Sequence, residues 1–246
     1  MKNDLYIEAY EKLATKRLAG MVTSGRYLTT HWYYKKQLGR DIINKLKLNK
    51  HDTVLEIGCN VGIYHKEISK AVKFLDATDA GEAIIRLAKE RNHFNNIDYT
   101  VLNALQKWPE NIEQKIYDKI LVYSVIHFFD DIDAVKKLLT SLYKHLNPAG
   151  LIMLGEVRTI QKYDAFKELQ SAKKNLSLRD IKFIISKKIQ SFYVSNLGAS
   201  LPCISYDRDD LIKACEESGF KVVEHSQQSF HPFYNTCSDF ILTKAG

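Results

Sequence analysis

Val54-Leu55-Glu56-Ile57-Gly58-Cys59-Asn60-Val61-Gly62 reads as a buried strand running into a glycine turn. Residues 53–57 form a short apolar run of the kind found in a parallel sheet covered on both faces. Gly58 permits a tight turn, and Gly62 permits close approach of backbone to a ligand or of helix to strand. Asn60 stands where a middle glycine would sit. Asn tolerates the left-handed region, so the turn survives.

The same rhythm continues outward. Strands are expected near 74–78, 97–101, 119–123 and 151–157, with helices near 64–72, 82–92 and 132–146 between them. Asn147-Pro148-Ala149-Gly150 reads as a turn into the fifth strand. The rhythm breaks at 158–205, where two helical patterns (160–174 and 178–191) are expected. It resumes with a helix at 209–218 and strands at 220–224 and 239–244. The fold class is therefore α/β, a doubly wound and mostly parallel seven-stranded sheet. An N-terminal helical cap (1–48) precedes the core (49–157 and 206–246), and a helical insertion (158–205) interrupts it.

Ligands of such sheets bind beyond the carboxyl ends of the strands. The second strand ends in Asp76-Ala77-Thr78-Asp79-Ala80, about twenty residues past the loop, where a nucleoside ribose seeks a carboxylate. Asp79 is the better placed, at the strand tip. A dinucleotide-binding domain would show a third glycine and cradle a pyrophosphate. An acidic Glu56 at the loop entrance suits an ammonium and a sulfonium better.

In this order and spacing, residues 53–157 resemble class I S-adenosylmethionine-dependent methyltransferases of the small-molecule type. The resemblance implies S-adenosylmethionine as donor and S-adenosylhomocysteine as product. It implies that Glu56, Gly58, Cys59, Asn60 and Gly62 line the methionine end, with Asp79 and Ala80 at the ribose. Asn103 and Ala104 would lie at the adenine, although Asn103 lacks the usual charge. Tyr117–Ser124 is similar to the family's fourth strand, bringing Tyr123 to the cofactor, and Ser218-Gly219-Phe220 resembles its C-terminal end.

Residues just after strand four face the transferred methyl, and His127 is the best-placed general base there, because imidazole titrates near neutral pH. The Asn/Asp-Pro-Pro-aromatic motif of nucleobase amine methylation is missing. Pro202-Cys203 falls too far from strand four to act as a cytosine-type nucleophile. Tyr27, His31 and Tyr34 share a helical face that could close over the cofactor. Tyr33, Glu156, His231 and Tyr234 are expected on the acceptor side.

The chain carries a formal charge of +7, and residues 158–190 hold nine Lys and Arg against three acids. As a lid over the acceptor pocket, this insertion would suit an anionic small molecule or saccharide. No nucleic-acid-binding module is recognisable. Four scattered cysteines without metal-ligand spacing suggest free thiols and no metal. The absence of a signal peptide or spanning segment suggests a cytoplasmic protein, as monomer or homodimer. The leading expectation is a small-molecule or saccharide O-methyltransferase. RNA or amine N-methylation, or an inactive cofactor-binding partner protein, are the alternatives.

Overall fold

Alternate residues of the central strands enter two separate cores. Leu55 and Ile57 of β1 (Thr53–Ile57), Ile120 and Val122 of β4 (Tyr117–Tyr123), and Ile152 and Leu154 of β5 (Leu146–Arg158) face one side. Val54, Leu121, Tyr123 and Met153 face the other. This two-sided burial is the period-two geometry of a strand covered by helices on both faces. The computed structural model describes residues 2–15, 31–171, 181, 184–185, 188, 203–231 and 233–246.

With β2 (Phe74–Asp79), β3 (Ile97–Val101), β6 (Phe220–Ser226) and β7 (Cys237–Lys244), one sheet forms in the order β3-β2-β1-β4-β5-β7-β6. The pairs β1–β2, β1–β4, β2–β3 and β4–β5 are parallel, and β7 runs antiparallel to both neighbours. The order reverses between β1 and β4. Chain crossings on opposite faces leave a crevice at their carboxyl ends.

Helices α1 (Lys2–Thr15), α2 (His31–Leu46), α3 (His65–Ile68), α4 (Glu82–Arg91), α5 (Glu110–Glu113), α6 (Ile132–His145), α7 (Ile160–Ser171) and α8 (Arg208–Glu217) complete the description. Local chemistry sets several ends. Asp131 caps α6 by accepting from Ala134 N–H, and Asp207 caps α8 by accepting from Asp209 and Asp210 N–H, the usual device for orphan first-turn amides. The core of α6 is apolar at Val135, Leu138, Leu139 and Leu142, all buried against β4 and β5.

Two expectations change in detail. The turn expected at 147–150 stays within β5 as an irregularity. Tyr117 pairs with Leu146 and Lys119 with Leu151, so five residues of β5 oppose two of β4. The helix expected at 64–72 shrinks to a single turn at His65–Ile68. After β5, α7 opens the insertion as expected. Of the second expected helix, only Ile181, Ile184, Ile185 and Lys188 are described, all helical; the rest lies outside the described residues. Ile184 packs beside Phe166, Phe233 and Cys237. Among the described residues, no helix is long and apolar enough to cross a membrane.

Candidate cofactor and acceptor cleft

A cleft opens where the sheet order reverses. Its floor is the glycine loop: Gly58, Cys59 and Asn60 line it beside Ile57. Gly58 (φ 77°), Asn60 (φ 48°) and Gly62 (φ 67°) all adopt left-handed backbone. Both Gly58 N–H and Cys59 N–H donate to Thr78 O at 2.8 Å, which folds the loop over the end of β2. Each glycine has its own reason. A Cβ on Gly58 would stand 2.3 Å from Val125 Cγ2, and one on Gly62 would stand 2.3 Å from His65 Nδ1.

Gly58→Ala therefore combines left-handed strain of about 1–2 kcal/mol with an overpacked contact of about 1–3 kcal/mol. A fall in Tm of about 5–15 °C is expected, together with weakened cofactor binding, because Val125 lies on the cleft wall. Calorimetric melting with a cofactor titration checks both. A variant that melts and binds like the wild type would remove the steric account.

Asp79 stands at the tip of β2 on the cleft wall. Its Oδ2 accepts from Asn60 N–H (2.9 Å) and its Oδ1 from Gly81 N–H (3.1 Å). Burial pushes its carboxyl up to about 6, against the opposing pull of these amides. Asp76 is turned elsewhere, holding Lys115 (2.8 Å) and Tyr117 Oη (2.9 Å). Ala80, Asn103 and Ala104 join the same wall. Asn103 Oδ1 accepts from Leu105 N–H at 3.0 Å, fixing its amide. The Cys59 thiol is pushed well above its ordinary range by burial, then by Glu56 and Asp79, which makes it a wall atom and a poor nucleophile.

Glu56 lies off the wall. It is fully buried, with one carboxylate oxygen accepting from Tyr64 Oη and the other 2.7 Å from His65 Nε2. His65 Nδ1 reaches Tyr99 Oη at 2.7 Å. Tyr64 is on the wall, so Glu56 reaches the cleft through the tyrosine it holds.

The aromatic cover comes from α1, which sequence reasoning missed. Tyr6, Ile7 and Tyr10 line the cleft, and both tyrosines pack on Phe128, at 4.8 and 5.5 Å between ring centroids. Glu11 Oε1 accepts from Ala83 N–H (2.8 Å), tying α1 to the first turn of α4. The available signal was the i, i+4 pair Tyr6 and Tyr10. The cover was expected from Tyr27, His31 and Tyr34. Tyr27 lies outside the described residues, and His31 and Tyr33 are described only as part of α2. Tyr34 is buried in the α2 core instead, against Phe230 (6.3 Å) and His231 (5.9 Å). Tyrosine spacing alone could not separate a core face from a roof.

Beyond β4, Ser124 adopts left-handed backbone (φ 62°) on the cleft wall, followed by Val125, Phe128 and Phe129. His127 sits in this turn (Ile126–Phe128) but off the wall. Its ring lies 4.1 Å from that of Phe128, and its carbonyl accepts from Ile204 N–H. Tyr123 reaches the wall over Gly155, whose missing Cβ would stand 2.2 Å from the tyrosine ring.

The residues expected on the acceptor side gather behind Tyr123. His231 is buried with Nδ1 3.4 Å from Tyr123 Oη. Glu156 is buried with left-handed backbone (φ 55°), and its N–H donates to Asp239 Oδ1. Tyr234, half-buried in the same loop, donates its N–H to His231 O. None of the three is on the wall itself. In the described part of the basic insertion three cations are engaged and Lys188 is exposed. Lys162 donates to Cys237 O, Lys167 pairs with Asp164, and Arg158 lies over the Tyr163 ring.

The family model described as "Methyltransferase domain" matches residues 31–225. Chondramide synthase from Chondromyces crocatus is 25% identical over 145 residues, 56% of this chain. Nodulation protein S from Sinorhizobium fredii is 26% identical over 102 residues, 41% of this chain. The matched segment spans 4% of the synthase and 45% of the nodulation protein. Among solved structures, the N-methyltransferase NodS from Bradyrhizobium japonicum WM9, in complex with S-adenosyl-L-homocysteine, shares the fold. It aligns with a TM-score of 0.54 at 15% identity, covering 87% of this chain and 88% of its own. Taken with a cleft built from a glycine loop, a carboxylate at the tip of β2 and an aromatic roof, the family match identifies the chain as a member of the methyltransferase-domain family that uses S-adenosylmethionine.

Proposed function

We propose that the chain transfers a methyl group from S-adenosylmethionine to a hydroxyl of a small molecule or saccharide, an anionic one given the excess of Lys and Arg after β5. The observation that carries the small-acceptor reading is the roof. Tyr6, Ile7 and Tyr10 close the cleft beside the turn that follows β4, which suits a compact acceptor better than a polymer. Bound in the cleft, S-adenosylmethionine supplies an electrophilic methyl on a sulfonium. Asp79 is suited to accept from two ribose hydroxyls, while Asn103 and Ala104 face the base. Tyr64 and Tyr123 wall the reacting end, and α1 excludes water. Displacement at a sulfonium methyl needs alignment above all, so these residues act chiefly by positioning. Removal of the acceptor proton by His127 requires its ring to leave Phe128 and turn onto the wall. Tyr123 stands there already.

A second reading, amine methylation, is favoured by the similarity to nodulation protein S and to a solved N-methyltransferase. One experiment separates the readings. The chain is incubated with ¹³C-methyl S-adenosylmethionine and a panel of anionic sugars, phenols, amines and transfer RNA. A methoxy carbon resonance in a small acceptor is expected. An N-methyl resonance would replace oxygen by nitrogen as the acceptor, and label confined to RNA would overturn the small-acceptor reading.

A further inference from the structure

A run of buried polar groups leads from the cleft wall into the protein behind it. Tyr123 Oη lies 3.4 Å from His231 Nδ1. The other ring nitrogen, Nε2, makes no hydrogen bond but lies 3.4 Å from Asp41 Oδ2, within ion-pair distance. Asp41 also accepts from Lys45 Nζ at 2.7 Å, and Lys45 bridges on to Asp239 Oδ2 at 2.6 Å. Asp239 Oδ1 is in turn taken by Glu156 N–H (2.7 Å) and Gln227 Nε2 (3.1 Å). Asp41, His231, Tyr123 and Asp239 are all buried.

This arrangement joins five distant parts of the sequence: α2, β4, β5, the loop before β7, and β7 itself. Such a buried polar network is costly where a member lacks a hydrogen bond, as His231 Nε2 does, and it meets the cleft wall at Tyr123. Burial alone would raise the Asp41 carboxyl, but His231 and Lys45 outweigh it and hold it below the ordinary carboxylate range. An ionised Asp41 favours the proton on Nε2 of His231. That leaves Nδ1 bare towards the tyrosine hydroxyl, the tautomer logic of an acid-oriented histidine.

We propose that Tyr123 is the catalytic residue that takes the acceptor proton, relaying its own proton to His231, with Asp41 as the residue that orients the imidazole. This rests on the hydroxyl-acceptor reading above. The acceptor oxygen forms its bond to the methyl carbon while the carbon–sulfur bond breaks, its electron pair returning to sulfur. The acceptor proton passes to Tyr123 Oη, and the former tyrosine proton passes to His231 Nδ1. The positive charge lost from sulfur reappears on the imidazolium beside the Asp41 carboxylate. Atoms and charge balance without a further reactant.

The test combines kinetics with a readout that needs no turnover. Tyr123→Phe and His231→Gln are each expected to lower kcat on a hydroxyl acceptor by about 10²–10³-fold. Cofactor Kd should stay within about threefold, because the phenylalanine ring keeps the wall. The double variant should be little worse than either single one, as members of one relay are not additive. The solvent isotope effect of the wild type should vanish in both variants. Independently, long-range ¹⁵N–¹H correlation should show His231 protonated on Nε2 in the wild type and the preference lost in Asp41→Asn.

If the wild type methylates a hydroxyl and Tyr123→Phe retains kcat within threefold, the relay is overturned while the functional reading stands. A His127→Ala variant that loses 10²-fold alongside an unaffected Tyr123→Phe gives the proton step to His127. Protonation of His231 on Nδ1 also overturns the relay. A wild type that methylates amines only overturns the hydroxyl reading, and the relay's role with it.

Discussion

Glu56→Ala is expected to destabilise the protein without cofactor by about 3–5 kcal/mol, the range for breaking a buried charged network by removing one partner. Glu56 has no exposure, and its two oxygens serve Tyr64 Oη and His65 Nε2. Alanine would strand a hydroxyl and a ring nitrogen in the core of the α2 face, and would loosen the Tyr99 contact beyond them. Tm should fall by roughly 10 °C or more. Denaturant unfolding of the protein without cofactor measures this directly. Glu56→Gln, which keeps shape and one acceptor, should lie between wild type and alanine. Cofactor affinity should fall in step with the displacement of Tyr64. Unfolding within about 1 kcal/mol of wild type, combined with lost cofactor binding, would instead make Glu56 a direct ligand.

The distinction shows what a motif conveys. Val54–Gly62 announces a strand and a turn because burial and left-handed backbone leave few residue choices. Gly58 and Asn60 are legible on that ground alone. The partner of Glu56 is not legible. His65 and Tyr64 follow it by nine and eight positions, and only the folded turn sends their side chains back to the strand. Gly62 is expected to admit the close approach of a ligand or of helix to strand, but its backbone is left-handed and the group that fills its space is the His65 ring.

Asp79, Asn103 and Ala104 were readable because a parallel sheet places the ends of successive strands side by side, so local order implies proximity. Roofs and relays lack such a rule. α1 carries Tyr6 and Tyr10 to the cleft across a long separation in sequence, and it precedes the residues that the family model matches. His231 is expected on the acceptor side of the cleft, whereas it lies beneath the wall. Its neighbour Asp41, and Lys45 paired with that carboxylate, come from a helix nearly two hundred residues earlier, with no pattern linking them.

The second large effect concerns Asp79 and pH. Cofactor affinity should be flat above about pH 7 and fall as the pH drops through about 6, approaching tenfold per unit below it. The sign follows from burial, which raises the carboxyl to about 6, so the proton returns in a range where an exposed aspartate stays ionised. A protonated carboxyl accepts poorly from ribose hydroxyls. For stability the sign is separate. The folded chain holds this proton more tightly than the unfolded one, so the contribution of Asp79 to stability is lost as pH rises from about 4 to about 6. Asp79→Asn should abolish both dependences. At pH 8 it should weaken cofactor binding by about 100-fold, since two charge-assisted hydrogen bonds worth about 1.5 kcal/mol each are lost or made neutral. Calorimetric titration at half-unit steps from pH 5 to 8 provides the curve. An affinity flat across that range would mean that Asp79 is not the group that reads the ribose, and a variant that binds like the wild type at pH 8 would remove it from the cofactor site.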